Sequence, residues 1–271
     1  MISKDERNKI LSRFNEKNDK IFASNLIEII NKFVLNNYIM HTKFLNLYER
    51  SIAISILNKY NINYRIYLNN EWSERALIFL LPEEILNEGN DMQEIFSKYI
   101  KCVKIIPSVK NKLLHKDYMG AIYSLGITEE NIGDIFISDD KAYFFIFNDN
   151  LNYFKYNLNG VGRSSVKIEI LSITEEEVEK LKSDYKNVKI IISSIRIDNI
   201  LAHLFKLSRN EVKNKIEKGE LFVNSKPIYF LAQNIKVNDI VSLKRCGKFK
   251  IGEIREENKK GKYVINIKKY I

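Results

Sequence analysis

Between residues 4 and 35 apolar side chains recur every three or four positions, and Ile10, Leu11, Phe14, Ile21, Phe22, Leu26, Ile29, Ile30 and Phe33 trace a helical face. Asn18 and Asp19 predict a break within it. The same period predicts a second helix from Asn46 to Tyr60, with Leu47, Ile52, Ile54, Ile56 and Leu57 turned inward. Two strand-like runs follow, INYRIYLN and RALIFLL, joined by a loop containing Asn70, Glu71 and Trp72, and Pro82 ends the second. Together these predict an N-terminal α+β domain over residues 1–85.

From residue 86 the pattern changes to alternating short elements. CVKII (102–106) predicts a strand, HKDYMGAIYSLG (115–126) a helix closed by Gly126, and GDIFI (133–137) a strand. A turn at Asp139–Asp140 leads into KAYFFIF (141–147), then a helix over 148–162 and the strand VKIEIL (166–171). The order β-α-β-β-α-β is that of a ferredoxin-like, RRM-like plait, here spanning 86–186. In its third strand, period-two alternation puts Tyr143, Phe145 and Phe147 on one face and Phe144 and Ile146 on the other. Rings on an open sheet face stack on RNA bases; rings covered by a neighbouring domain are core, the commoner use of an aromatic strand. A charged helix opening on a Thr174–Glu177 capping box occupies 174–185, and VKIIISS (188–194) enters the last domain as a strand or linker.

Residues 187–271 predict a compact module of two short helices and a strand run, ending in a basic tail. Asp198 is placed to cap the first helix, whose inward stripe is Ile200, Leu201, Leu204 and Phe205. Ser208 and Glu211 form a capping box for the second. Val212 and Ile216 point inward, which turns Arg209, Lys213 and Asn214 to solvent at a helix N-terminus, where backbone N–H groups and the dipole favour phosphate. Gly219 stops the helix, and ELFVN reverses through the turn Asn224-Ser225-Lys226-Pro227 into IYFL, with DIVSL the last strand before KRCGKFK.

Charge sharpens this picture. Residues 193–271 hold 18 Lys and Arg against 8 Asp and Glu, whereas residues 1–192 balance at 26 of each, so the whole net charge of +10 is C-terminal. A surplus confined to one end predicts a polyanionic partner engaged by phosphate neutralisation. Cys102 and Cys246 are far apart and fit neither a disulfide framework nor a zinc site. No apolar run reaches membrane-spanning length and no signal peptide is evident, so a cytoplasmic protein is expected.

In the C-terminal module, the run R-I-D, then L-S-R, then K-x-G-x-x-x-V-N and V-x-x-D-x-V resembles the RNA-binding domain named after small-subunit ribosomal protein S-four. The resemblance implies that the two helices and the hairpin dock on structured RNA, with Arg196, Arg209 and Lys213 facing it. Ser208, Asn214, Asn224 and Lys226 complete the candidate RNA-binding set. Asn238 stands where the family has Gly, and Lys215 where an apolar residue is usual. Upstream, FLNLYER (44–50), SER (73–75), LLHKDYMGAIYSLGI (113–127), ENIGDI (130–135) and GRSSVKIEIL (162–171) resemble, in order, motifs of the YlmH family of bacterial S-four-domain proteins. Here His115-Lys116-Asp117 replaces the more usual His-Arg-Asp, and Asn70 and Glu71 replace glycines ahead of the Glu-Arg pair.

What the YlmH resemblance implies is a non-catalytic protein that binds rRNA and tRNA on the large ribosomal subunit. It further implies a part in ribosome-associated quality control, stabilising peptidyl-tRNA while its nascent chain is tailed. The family's genes lie in a cell-division locus, which leaves a division-linked scaffold as one alternative. An RNA-modifying enzyme of the pseudouridine-synthase type is another, since such enzymes share the module. His115 and Asp117 could form an acid–base pair, but Asp117 is equally placed to cap its helix, and no nucleophile, phosphate loop or metal cluster accompanies them. No cofactor, metal, catalytic residue or small-molecule substrate is indicated.

Overall fold

The structure, a computed structural model, describes residues 1–67, 73–87, 91–108, 113–172, 185–257 and 261–270. The expected charged helix with Thr174 and Glu177, and the loop with Asn70, Glu71 and Trp72, lie outside them. The chain divides into two compact units, Met1–Lys182 and Ser183–Ile271.

In the first unit, α1 (Lys4–Leu11) and α2 (Lys17–Asn36) replace the predicted N-terminal helix. The break falls at residues 12–16, ahead of the Asn18–Asp19 pair. Asp19 instead joins the first turn of α2, where the dipole favours a carboxylate, and accepts a 2.7 Å hydrogen bond from the Tyr48 hydroxyl. Helix α3 (Leu47–Lys59) matches its prediction, because Asn46 accepts from the Tyr48 and Glu49 N–H groups and Glu49 reaches back to the Asn46 N–H. Strands β1 (Met40–His41), β2 (Tyr64–Tyr67) and β3 (Leu77–Leu80) pair antiparallel in the order β1-β3-β2. The two-residue β1 has no periodic signal of its own.

All four residues of β3 are buried, which explains its unbroken apolar run. Ile78 and Leu80 pack on α2 and α3, while Leu77 and Phe79 join a second core with Phe44, Tyr67, Phe96 and Phe145. After the short helices α4 (Glu83–Asn87) and α5 (Met92–Ser97) come β4 (Ile100–Pro107), α6 (His115–Ser124), β5 (Phe136–Ser138), β6 (Lys141–Phe147), α7 (Asn148–Asn157), β7 (Gly160–Val161) and β8 (Ser164–Leu171). Their sheet runs β5-β6-β4-β8-β7, antiparallel throughout, and realises the expected β-α-β-β-α-β order. Asp139 and Asp140 turn the β5–β6 hairpin with φ of 50° and 59°. The predicted strand GDIFI begins late, at Phe136, because the Asp134 carboxylate is drawn off to the Glu74 and Arg75 N–H groups.

Both faces of β6 are covered. Phe144 meets Phe154 of α7 edge-on at 5.2 Å. On the other face Phe145 is 3% exposed and lies 6.3 Å from Tyr67, while the His41 ring stacks on Phe147 at 5.1 Å. The aromatic strand is core, and the three-stranded sheet is what covers it.

The second unit is one antiparallel sheet, ordered β11-β10-β12-β13-β14-β9, with α8 (Ile197–Phe205) and α9 (Arg209–Glu217) sharing its apolar core. Residues 188–194 supply most of β9 (Tyr185–Ile192), a strand rather than a linker. Strands β10 (Leu221–Val223) and β11 (Lys226–Pro227) form the expected hairpin, turned by Asn224 and Ser225 with φ of 49° and 66°. IYFL lies beyond the short β11. Strand β12 (Ile240–Leu243) is not the last: the basic tail folds into β13 (Gly247–Glu257) and β14 (Lys262–Tyr270), and β14 pairs along its length with β9. Alternation within that tail, with Phe249, Ile251, Ile265 and Ile267 buried among lysines, is the strand signal that its charge obscures.

Candidate nucleic-acid interface

The basic unit gathers its candidates around α8 and α9. Arg196 is the N-cap residue of α8 and gives no side-chain cap. Its guanidinium instead forks onto Asp198, with Nε to Oδ1 at 3.1 Å and an NH2 nitrogen to Oδ2 at 2.9 Å. Asp198 therefore does not cap the helix as expected: it lies inside the first turn, where its nearest attractive partner is that guanidinium and its remaining bond is to the Asn199 N–H. The pair holds the Arg196 pKa above its ordinary value and leaves the side chain half exposed.

Helix α9 begins as expected. The Ser208 hydroxyl accepts from the Glu211 N–H at 3.2 Å, and the Glu211 carboxylate accepts from the Ser208 N–H at 2.7 Å. Hydrogen bonds to Ser208 hold the Glu211 carboxyl below the usual range. That carboxylate sits where a phosphate would meet the helix N-terminus, so attraction for an anion there falls to side-chain cations. Arg209 is exposed at the first helical position, with no ion-pair partner among the described residues. Lys213 is exposed one turn on, 3.7 Å from Glu217, a solvated i,i+4 contact of small energy. Asn214 and Lys226 are exposed as well.

Asn224 is used differently. Its amide nitrogen donates to Asp239 at 2.8 Å and its amide oxygen accepts from the Ile240 N–H at 2.9 Å, so its polar atoms tie the β10–β11 turn to β12. Ser208 is likewise bound into a cap. Lys215, where the family usually has an apolar residue, donates to the Glu220 carboxylate at 2.8 Å and to the Lys244 carbonyl at 3.4 Å. Asn238 adopts the left-handed conformation that its place in the loop predicts, with φ of 73°.

Two exposed aromatics escaped the sequence reading. Tyr229 and Phe230, 53% and 74% exposed, lie in the segment between β11 and β12 that folds back to the start of α8, where the Ile197 N–H donates to Gln233 O at 2.9 Å. An apolar run in a strand-like context hid them. Among the described residues no group of three potential metal ligands is found, and no helix is long and apolar enough to cross a membrane.

The upstream motifs gather at a different place. Asp134 accepts from the Glu74 and Arg75 N–H groups at 2.7 and 3.0 Å, Arg75 pairs with Glu129, Lys43 pairs with Glu130, and the Phe44 N–H donates to Glu130 O at 3.0 Å. Burial lowers the Arg50 pKa against the attraction of Asp134, and burial raises that of Glu49 against its bond from the Asn46 N–H. Segments 44–50, 73–75 and 130–135 thus form one seam that fastens the three-stranded sheet to the central one. Asp117 accepts from the Leu114 N–H at 2.8 Å, the capping role expected for it.

Residues 93–175 match the family described as "Putative RNA-binding domain in YlmH". Over 254 residues, 93% of this chain and 96% of the relative, the sequence is 21% identical to the "Ribosome-associated protein quality control protein P2" of Bacillus subtilis (strain 168). A 72-residue stretch, 26% of this chain and 30% of the relative, is 33% identical to the "Mitochondrial transcription rescue factor 1" of Mus musculus. Among solved structures, the "Cell division protein ylmH from Streptococcus pneumoniae" is similar at a TM-score of 0.49 and 19% identity, covering 58% of this chain and 93% of that one.

Proposed function

We propose that this chain, a member of the YlmH family, is a non-catalytic RNA-binding protein of ribosome-associated quality control that acts in the cytoplasm on the large ribosomal subunit. Its ligands there are rRNA and tRNA, and its effect is to hold peptidyl-tRNA in place while the nascent chain is extended. The observation that carries this reading is similarity along nearly the whole chain to a relative named for that process. The central sheet is read as a ferredoxin-like plait and residues 187–271 as an S-four-like module with its basic tail, whose polyanion-facing side chains are Arg209, Lys213, Arg196, Asn214 and Lys226. The unpaired charge of Arg209 and the confinement of the +10 surplus to residues 193–271 support that assignment.

Against a pseudouridine-synthase-type reading stands the place of the R-I-D run, Arg196 to Asp198, which opens helix α8 of the S-four-like module itself. Co-sedimentation of the full chain with purified large subunits over a salt series tests the proposal. Binding that falls steeply with salt is expected, and binding indifferent to salt would favour a protein-docked scaffold. Mass analysis of rRNA and tRNA from deletion and wild-type cells tests the enzyme alternative, with no lost modification expected.

A further inference from the structure

The sheet face through which a plait of this order commonly meets RNA is occupied here by the rings of Phe44, Tyr67 and Phe79. An RNA contact of the central domain has to lie elsewhere, and one surface has the features for it. A groove of about 530 Å³ runs between α6 and the segment from the end of α7 through β7, with Lys116, Gly120 and Ser124 on one wall and Asn157, Asn159 and Gly162 on the other. We infer that this groove binds a short run of unpaired RNA nucleotides, with Lys116 and Arg163 on phosphates and Tyr156 against a base. The inference rests on the RNA-binding reading above and adds a second site to it.

Three observations carry it. The first is Gly120. Gly160 has a structural reason, since a Cβ there would come within 2.9 Å of Ser164 O, and Gly162 has another in its φ of 59°. Gly120 has neither: it sits in the middle of α6, and an added Cβ would meet nothing within 4 Å. Glycine in a helix interior costs about 1 kcal/mol relative to alanine, and at this position it leaves the middle of the groove wall without a side chain, with open space in front of it.

The second is charge. Lys116 in the groove and Arg163, next to Gly162 on the turn, are exposed and have no ion-pair partner among the described residues. This contrasts with Lys104 and Lys167 of the same domain, both of which pair with Glu169. Asp117, the one acidic residue in the lining, is engaged in capping α6.

The third is a pair of exposed rings on α7, the helix whose end leads into the groove wall. Tyr156, the neighbour of Asn157 on α7, is 78% exposed, and Tyr153, 52% exposed, donates from its hydroxyl to the carbonyl of Leu125, itself a lining residue. Cations, exposed rings and the amide side chains of Asn157 and Asn159 on one stretch of surface suit single strands, whose bases are free to stack; a duplex keeps its bases stacked on each other.

The test uses the full chain, a fluorescein-labelled twelve-uridine RNA and purified large subunits, with thermal melting to establish that each variant is folded. Lys116→Glu and Arg163→Glu are expected to weaken uridine-RNA binding about tenfold each and to flatten its salt dependence, and Tyr156→Ala to weaken it about fivefold. Gly120→Ala should bind as wild type, because its methyl enters open space, whereas Gly120→Phe should block the groove without unfolding α6. Folded charge variants that keep wild-type affinity and salt slope would overturn the groove while leaving the ribosomal reading intact. Wild-type binding to the uridine RNA without binding to large subunits would do the reverse. Charge variants that lose only the intact subunit would assign the groove to a protein and overturn the inference, as would a preference for duplex over single strand.

Discussion

Two charged regions of this chain use the same residue types to opposite ends. At the seam of the first unit, Lys43, Arg50 and Arg75 face Glu130, Asp134 and Glu129, and residues 1–192, which hold them, balance to zero. On α9 of the second unit, Arg209 faces water and Lys213 makes one loose contact with Glu217. The difference teaches that a cation's meaning lies in its partner. Charge that is paired across the join of two sheets is spent within the fold, and charge left over is available to a phosphate.

Breaking the seam should have the largest effect. Asp134→Ala strands two backbone N–H groups and removes an opposite charge from the half-buried Arg50, and is expected to cost about 3 kcal/mol in denaturant unfolding while leaving the proposed RNA surface of the second unit unchanged. A loss below about 1 kcal/mol would show the seam to be ornament. Next comes the surface itself: Arg209→Ala with Lys213→Ala should lower affinity for large subunits about tenfold and reduce the salt slope by about 2, without moving the unfolding midpoint. If the midpoint moves and the slope does not, these two cations belong with the seam in kind.

Ser208→Ala is expected to cost about 1 kcal/mol of stability through the lost cap, with the salt slope kept. That separates a side chain holding the surface from one touching the ligand. The smallest effect is a pH dependence at the seam. Burial raises the Glu49 pKa in the folded state, so the folded protein holds that proton more tightly and loses stability as pH rises through the raised value. Glu49→Gln should therefore be slightly more stable than wild type near neutrality, a gain that shrinks toward zero as pH falls below the unfolded carboxylate range, measured by denaturant midpoints across pH.

Where a residue's structure follows from its near neighbours, the sequence announced it. The helix that starts at Asn46, the capping box at Ser208–Glu211, the Asp139–Asp140 turn and the left-handed Asn238 are of this kind. Asp198 misled because a carboxylate near a helix start can cap, or can pair with an arginine two residues away, and only geometry decides. The basic tail misled because lysines on the outer face of a strand read as a solvated run until their buried isoleucine partners are placed. Of the candidate site, the exposed cations were legible from helix phase. The fixed hydrogen bonds of Asn224 depend on Asp239, fifteen residues away, and the groove beside Gly120 on segments forty residues apart, which no local pattern encodes.

The pairing of β9 with β14 has a consequence for the order in which the second unit can be made. The strand that opens the unit finds its partner only in the strand that closes it, with Tyr185 opposite Tyr270 and Ile192 opposite Tyr263. During synthesis β9 emerges first and waits without a strand partner while both helices and four further strands are built. The loop it must close is almost the whole unit, so this pairing belongs among the slow, late steps of folding. A chain whose translation halts before β14 would carry α8 and α9 on an unfinished sheet.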